Sequence, residues 1–164
     1  CNTMGTASSM NSIAEALGMS ITGCAAIPAP YRERSQMAYD TGLRIVKMVE
    51  EDLKPSDIMT KESFENAIVT ASSIGASSNA PPHLIAIAKH MGVKFDLSNW
   101  QKLGHKIPLL ANCQPAGEHL MEGFYRAGGI PAIMKELMKN NKIHQNLITV
   151  TGKTVAQNLR KKIF

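Results

Sequence analysis

Residues 1–20 read CNTMGTASSMNSIAEALGMS, and they contain the signals of a complete helix. Apolar side chains recur at spacings of three and four residues, the period of one helix face, at Met10, Ile13, Ala14 and Leu17. Thr6 or Ser8 is expected to cap this helix, because a hydroxyl oxygen accepts the unpaired N–H groups of a first turn. Gly18 follows the apolar stripe, where helices commonly end in the left-handed conformation.

Helical patterns also dominate the sequence downstream. The longest helix is expected over residues 31–53, before Pro55, with an inner face of Met37, Thr41, Ile45, Met48 and Val49. Four shorter helices are expected: one capped by Thr60, one entered at Pro81 and closed by Gly92, one introduced by Gly128 and Gly129, and one that starts at Thr154.

Two short apolar runs interrupt the helices. Residues 107–113 (IPLLANC) and 147–150 (LITV) have the length and composition of buried strands. Strands that alternate with helices favour an α/β domain with a parallel sheet. We therefore expect a helix-rich layered α/β domain around a small parallel sheet, which strands from outside this chain would complete in part.

Charge and cysteine content limit the function classes. The net charge of +5 is uneven, because residues 1–82 sum to −3 and residues 83–164 to +8. A basic half suits an anion-binding or nucleic-acid-binding face, but its lysines are scattered among few aromatic residues, so solvated helix faces are favoured and no nucleic acid is expected. No apolar run approaches the roughly 20 residues of a membrane span. Three cysteines without a close pair favour a reducing, cytoplasmic compartment.

Cys1 is the residue most suited to chemistry. It precedes a glycine-containing turn and a helix start, and the partial positive charge of a helix N-terminus lowers a thiol pKa. Such a thiol suits a nucleophile or a metal ligand, while a purely structural cysteine remains the alternative. Because the chain begins with Cys1 and not with methionine, we expect it to come from a longer polypeptide.

Several long segments, in order, resemble one enzyme family, the dihydroxy-acid and phosphogluconate dehydratases. These segments are CNTMGTASSMNSIAEALGMS, GCAAIPAPYRERSQMAYDTG, IGASSNAPPHLIAIAKHMGV, NCQPAGEHLMEGFYRAGGIPAIMKEL and TVTGKT. The second segment is similar to the sugar-acid, arabonate-type branch of the family. The resemblance extends from Cys1 to about Asn158.

The resemblance implies a cofactor and a domain. Cys1 would be a thiolate ligand of an iron–sulfur cluster (2Fe-2S or 4Fe-4S), while Cys24 and Cys113 would be small buried hydrophobic residues. The other cluster cysteines and most Mg2+ ligands of the family lie upstream, and its catalytic serine lies downstream in a β-rich domain. Residues 1–164 would then form a partial N-terminal, cluster-binding domain that contains no catalytic residue and is inactive alone.

The run Gly75-Ala76-Ser77-Ser78-Asn79 stands where the family has Gly-Gly-Ser-Thr-Asn. Ser77, Ser78 and Asn79 are candidate substrate-binding residues, on a concave surface shared with Cys1. Alternatively, Asn79 only caps the helix that begins near Pro81. Ala76 would be strained if the second family glycine needs a positive φ.

The resemblance implies a hydro-lyase that converts a 2,3-dihydroxy sugar acid such as arabonate to a 2-keto-3-deoxy acid. Its partners would be a small-molecule sugar acid and further copies of itself, as a homodimer or homotetramer. Three alternatives remain: a dihydroxy-acid dehydratase of branched-chain amino-acid biosynthesis, a non-catalytic α/β module, and a phosphate-binding or nucleic-acid-binding domain.

Overall fold

The computed structural model describes residues 2–160, which form a helix-rich domain. These residues contain nine helices: α1 (Thr6–Ala16), α2 (Arg32–Glu50), α3 (Pro55–Ile58), α4 (Lys61–Ser73), α5 (Ala80–His90), α6 (Leu97–Gly104), α7 (Met121–Arg126), α8 (Gly129–Lys139) and α9 (Val155–Arg160). None of the helices in this part of the chain combines the length and the apolarity that a membrane crossing requires.

Helix α1 has the end that the sequence predicts but a different start. Gly18 has a φ of +83°, its N–H donates to the Glu15 carbonyl and the Met19 N–H donates to the Ala14 carbonyl, which together form a Schellman motif. The N-cap is Gly5, and no side chain caps the first turn. The predicted capping role of Thr6 or Ser8 is therefore wrong, because Thr6 is already helical.

Helix α4 lies at the centre of the molecule. It packs against α1, α5, α6 and α8. Thr60 occupies its N-cap position, but its side chain makes no capping hydrogen bond, so the predicted cap is correct in position only. Phe64, Ala67, Ile68 and Ala71 are buried and form its apolar face. The polar Asn66 is buried as well, and its side chain exchanges two hydrogen bonds with the backbone of His144. These bonds offset the cost of burying an amide.

Two apolar cores flank α4. One joins α1, α4 and α5 through residues such as Ile13, Phe64 and Leu84. The other collects α7, α8 and α9 around Phe124, Ile130 and other residues of those helices. The sequence analysis predicts the helix after Gly128 and Gly129, which is α8, but it predicts neither α6 nor α7.

The expected parallel sheet is not formed within residues 2–160. Cys113 with His119 and Ile148 with Thr154 form only isolated bridges. The N–H groups of Leu110 and Ala111 both donate to the Ser73 carbonyl. Because the end of α4 accepts these N–H groups and the Lys153 carbonyl accepts the Thr149 N–H, neither apolar run pairs with a strand. The strand predictions for residues 107–113 and 147–150 are therefore wrong here.

Helix α2 forms where the periodicity predicts it, but most of the side chains expected on its inner face are not buried. Only Met48 is buried on this 19-residue helix. Ile45 is 55% exposed and Val49 is 76% exposed, although both were expected to face the core. Besides Met48, α2 is held by hydrogen bonds from its side chains: Arg34 donates to the Ile27 carbonyl and Arg44 donates to the Val150 carbonyl.

Candidate functional site

The first turn of α1 contacts the turn between α4 and α5. The side-chain amide of Asn79 donates to Thr6 Oγ1 at 2.8 Å, and the hydroxyl oxygens of Thr6 and Ser77 lie 3.3 Å apart. The Ser77 N–H donates to the hydroxyl oxygen of the buried Ser9 at 2.8 Å. These bonds bring the Gly75–Asn79 segment against the helix that follows Cys1.

The conformation of this turn decides two of the sequence expectations. Gly75 has a φ of +62°, and the Ala76 N–H donates to the Ala71 carbonyl as the helix ends. The left-handed position therefore falls on Gly75, so the strain expected at Ala76 is absent. Asn79 occupies the N-cap position of α5 but makes no side-chain capping bond, so the alternative that it only caps the helix is wrong.

The three candidate substrate-binding residues differ in accessibility. Ser77 is half-buried, whereas Ser78 and Asn79 are exposed. In the described part of the chain, the Ser78 hydroxyl has no hydrogen-bond partner, so it is open to a ligand. Cys1, the predicted cluster ligand, lies outside the described residues.

A concave surface lies on the other side of α1. Its cavity of about 440 Å³ is bordered by Asn2, by Ala7, Ser8 and Asn11 of α1, by the loop from Ala25 to Tyr31, and by Arg34, Met121 and Glu122. Amide, hydroxyl and guanidinium groups thus share the wall with small apolar side chains. This mixture suits a small polar ligand that carries hydroxyl groups and a negative charge.

Hydrogen bonds fix Asn2, the neighbour of Cys1, at the edge of this cavity. The Met121 N–H donates to the Asn2 carbonyl at 3.0 Å, and the Glu122 N–H donates to Asn2 Oδ1 at 3.0 Å. Two residues further, the Met4 N–H donates to the Gln114 carbonyl at 2.6 Å. The segment before α1 is therefore held against the start of α7.

A second set of polar side chains lies at the edge of the cavity. The Tyr31 hydroxyl donates to the Glu122 carboxylate at 2.5 Å, and Arg126 donates to the same carboxylate at 2.7 Å. The Tyr31 hydrogen bond and the Arg126 charge hold the pKa of Glu122 below its ordinary value. Glu122 is thus an anion at neutral pH, and it orients Tyr31 at the cavity edge.

Glu15 organises the loop that walls the cavity. Its two carboxylate oxygens accept the N–H groups of Gly23 at 2.6 Å and Ala25 at 2.8 Å. Glu15 is only 5% exposed, and burial raises its pKa to about 7 although the two hydrogen bonds oppose that shift. We missed this residue in the sequence, where the available signal is that Glu15 is the single charged side chain among the first 31 residues.

The two described cysteines differ from each other. Cys113 is buried, as expected, and burial raises the pKa of its thiol. Cys24 is only half-buried, and the Arg34 guanidinium donates to its sulfur at 3.5 Å. The expectation of a buried hydrophobic residue is therefore correct for Cys113 and wrong for Cys24, which lies against a cation. Residues 2–160 contain no group of three His, Cys, Asp or Glu side chains that could hold a metal ion.

Comparisons with known proteins identify the relatives of this chain. Residues 1–158 match the family described as Dihydroxy-acid/6-phosphogluconate dehydratase N-terminal. D-xylonate dehydratase from Caulobacter vibrioides is 56% identical over 160 residues, which are 98% of this chain and 27% of that protein. L-arabinonate dehydratase from Rhizobium leguminosarum bv. trifolii is 52% identical over 142 residues, which are 87% of this chain and 24% of that protein.

Another relative carries a different name. Dihydroxy-acid dehydratase from Acetivibrio thermocellus is 47% identical over 159 residues, which are 97% of this chain and 29% of that protein. The chain therefore spans less than a third of the length of each of these three relatives.

Proposed function

The chain belongs to the dihydroxy-acid/6-phosphogluconate dehydratase family, and from that premise we propose that it forms one wall of the active site of a longer iron–sulfur dehydratase. The complete enzyme removes water from a 2,3-dihydroxy sugar acid and releases a 2-keto-3-deoxy acid. Cys1 binds the cluster, and Ser77, Ser78 and Asn79 contribute to the substrate site.

One observation supports this arrangement above the others. Asn79 and Ser77 hydrogen-bond to Thr6 and Ser9, at the first turn of the helix that follows Cys1. Two segments that are 68 or more residues apart in sequence thus meet at one helix end. A substrate held by the exposed Ser78 hydroxyl would lie against the first turn of α1.

The thiol chemistry of the chain fits a single cluster ligand at Cys1. Burial raises the pKa of Cys113, which disfavours the thiolate that iron requires. Arg34 already contacts the sulfur of Cys24. With no group of three possible ligands in residues 2–160, the other cluster ligands and the Mg2+ ligands would come from other parts of the longer polypeptide.

Loss of a hydroxyl group from a sugar acid needs help, because hydroxide is a poor leaving group. The cluster supplies a Lewis-acidic iron for that hydroxyl when it is bound. The residues of this chain bind and orient the rest of the molecule. Asn11, Ser8 and Asn2 border the cavity with amide and hydroxyl groups, which match the hydroxyl groups of a sugar acid, and Arg34 adds a positive charge for its carboxylate. This cavity lies on the opposite side of α1 from Ser77, Ser78 and Asn79, which do not line it, so it is a separate candidate for the sugar-acid site.

The first experiment tests Cys1 in the full-length enzyme. We expect Cys1→Ser to lose the visible absorbance of the cluster and the dehydratase activity together, because a serine hydroxyl is a poor iron ligand. The matched controls are Cys24→Ser and Cys113→Ser, which should retain both signals. A protein that keeps its cluster without Cys1 but loses it without Cys24 would contradict the assignment.

The substrate assignment has its own test. Formation of 2-keto acid by the full-length enzyme would be measured with D-xylonate, L-arabinonate and a branched-chain 2,3-dihydroxy acid. The identities of 56% and 52% to the two sugar-acid dehydratases favour the sugar acids. A preference for the branched-chain acid would instead support the second candidate, dihydroxy-acid dehydratase, to which the 47% relative belongs.

The role of the Gly75–Asn79 turn is separable from that of Cys1. We expect Ser78→Ala to raise KM for the sugar acid about tenfold, because one lost hydrogen bond to a charged ligand is worth roughly 1.5 kcal/mol. Cluster absorbance should be unchanged. Ser98→Ala, which alters an exposed serine on α6, is the control for a surface hydroxyl, and an equal KM for both variants would rule out the substrate contact.

A further inference from the structure

Two charged side chains border the cavity that lies beside Asn2. Among the described residues along its wall, only Arg34 and Glu122 are charged, and the others are amide, hydroxyl, thioether or purely apolar side chains. The Arg34 guanidinium donates to the Ile27 carbonyl and to the Cys24 sulfur, and no carboxylate within residues 2–160 pairs with it. Its positive charge is therefore available to an anionic ligand.

Glu122 neutralises a second cation at the edge of this cavity. Arg126 lies one helical turn after Glu122 on α7, and its guanidinium donates to Glu122 Oε1 at 2.7 Å. The Tyr31 hydroxyl donates to the same oxygen at 2.5 Å. Both contacts favour the anion and lower the pKa of Glu122, so the pair stays ionised at neutral pH. With Glu122 in place, the surroundings of the cavity therefore present one uncompensated positive charge, that of Arg34.

A single uncompensated cation matches a ligand that has a single negative charge. A sugar acid carries one carboxylate, whereas a phosphate ester adds about 1.5 to 2 further negative charges at pH 7. A phosphate group at this edge of the cavity would meet the like charge of Glu122, and Arg126 would already be occupied by that carboxylate. Repulsion of this kind lowers the affinity for the wrong ligand without any change in the contacts to the right one.

From this balance of charges we propose that Glu122 is a specificity-determining residue, which admits an unphosphorylated sugar acid to the cavity and excludes its phosphate ester. This role rests on the proposed function, since it takes the ligand to be a sugar acid. The family description names both a dihydroxy acid and 6-phosphogluconate, so a phosphate group distinguishes the compounds named within this family. The Tyr31 hydroxyl and the Asn2 amide hold Glu122 at the cavity edge through its side chain and its backbone N–H.

Product binding to the full-length enzyme tests this role without turnover. The two probes are the six-carbon 2-keto-3-deoxy acid and its 6-phosphate ester, which have no C3 hydroxyl left to lose, and isothermal titration calorimetry gives their Kd values. We expect the unmodified protein to bind the unphosphorylated acid at least about tenfold more tightly. Glu122→Gln should tighten binding of the ester about tenfold, because it removes the like charge and releases Arg126. The Kd of the unphosphorylated acid should change by less than about threefold.

Three further variants separate the effect of charge from that of shape. Tyr31→Phe removes a hydroxyl group but leaves the Glu122 charge in place, so discrimination against the ester should persist. The double variant Glu122→Gln/Arg126→Gln should lose the gain of the single variant, because the released cation is gone. Glu118→Gln removes a negative charge from an exposed residue of the preceding loop that does not border the cavity, and it should leave both Kd values unchanged. Circular dichroism checks that each variant is folded.

The outcomes for Glu122 and for the proposed function are distinguishable. An unchanged ratio of the two Kd values in Glu122→Gln would overturn the specificity role, and so would an equal shift in Glu118→Gln. An unmodified protein that binds the ester more tightly, or that binds neither probe, would overturn it as well. Formation of 2-keto acid from D-xylonate, measured on the same preparation, reports on the proposed function. Dehydration with an unchanged ratio would refute only the role of Glu122, whereas the expected ratio without dehydration would refute only the proposed activity.

Discussion

Helix α1 buries six of its eleven residues, and four of those six are polar or charged, whereas α2 buries only Met48 of its nineteen. The polar side chains of α1 can be buried because they make hydrogen bonds within the chain. Ser12 donates to the Ser8 carbonyl, Ser9 accepts the Ser77 N–H and Glu15 accepts two N–H groups. The apolar side chains of α2 are exposed because nothing in residues 2–160 covers them. Hydrophobicity alone therefore does not decide burial, since the position of the neighbouring element does.

A pair of leucine substitutions should show the largest difference between a packed helix and α2. Leu84 on α5 is fully buried, and Leu43 on α2 is 52% exposed. Leu84→Ala should lower the free energy of unfolding by about 2–5 kcal/mol through the lost apolar contacts and the cavity. Leu43→Ala should cost less than about 1 kcal/mol in dilute protein. Urea denaturation followed by circular dichroism checks both values, and equal losses would contradict the exposure of α2.

The pH dependence of stability should have opposite signs for Glu15 of α1 and Glu51 at the end of α2. Burial raises the pKa of Glu15 from 4.5 to about 7 in the folded chain. Its contribution is therefore fully present below about pH 4.5 and is lost as the pH rises through 7. The loss amounts to about 3 kcal/mol at 1.36 kcal/mol per pKa unit. Glu15→Gln should remove this loss, as urea denaturation at several pH values would measure.

Glu51 is the matched control for that experiment. The hydrogen bonds from Arg44 lower the pKa of Glu51, so its contribution is present above the ordinary carboxyl pKa and is lost as the pH falls. Glu51→Gln should therefore flatten the acid side of the stability profile and leave the neutral side unchanged. If Glu15→Gln instead altered the acid side alone, burial would not be the dominant influence on that carboxyl.

Two glycines, Gly18 after α1 and Gly42 within α2, should respond to alanine with changes in stability of opposite sign. Gly18 ends α1 with a φ of +83°, and a Cβ there would lie 3.1 Å from a Thr149 methyl and 3.2 Å from an Ile58 methyl. Gly18→Ala should therefore cost about 1–3 kcal/mol. Gly42 lies inside α2 with open space around it, so Gly42→Ala should stabilise the protein by about 0.5–1 kcal/mol. Thermal unfolding of the two variants would show whether the signs differ as expected.

The local sequence predicted much of the helical structure and the family. The spacing of Ile13 and Leu17 and the glycine at position 18 define α1, and Thr60 marks the residue before α4, because helix periodicity and termination depend on neighbouring residues. The ordered segments from Cys1 to about Asn158 predicted the dehydratase family, which the match over residues 1–158 confirms. The roles of Cys1 and of Ser77, Ser78 and Asn79 stay predictions.

Only the tertiary structure decided which faces are covered and which polar groups meet. The run IPLLANC has strand composition, but the Ser73 carbonyl accepts the N–H groups of Leu110 and Ala111, and the run forms no strand. Asn79 stands at a capping position, yet it bonds to Thr6, 73 residues away. Glu15 became visible as the residue that holds the cavity loop only when Gly23 and Ala25 were placed against it. Such contacts depend on how distant segments pack, whereas periodicity and composition describe each segment by itself.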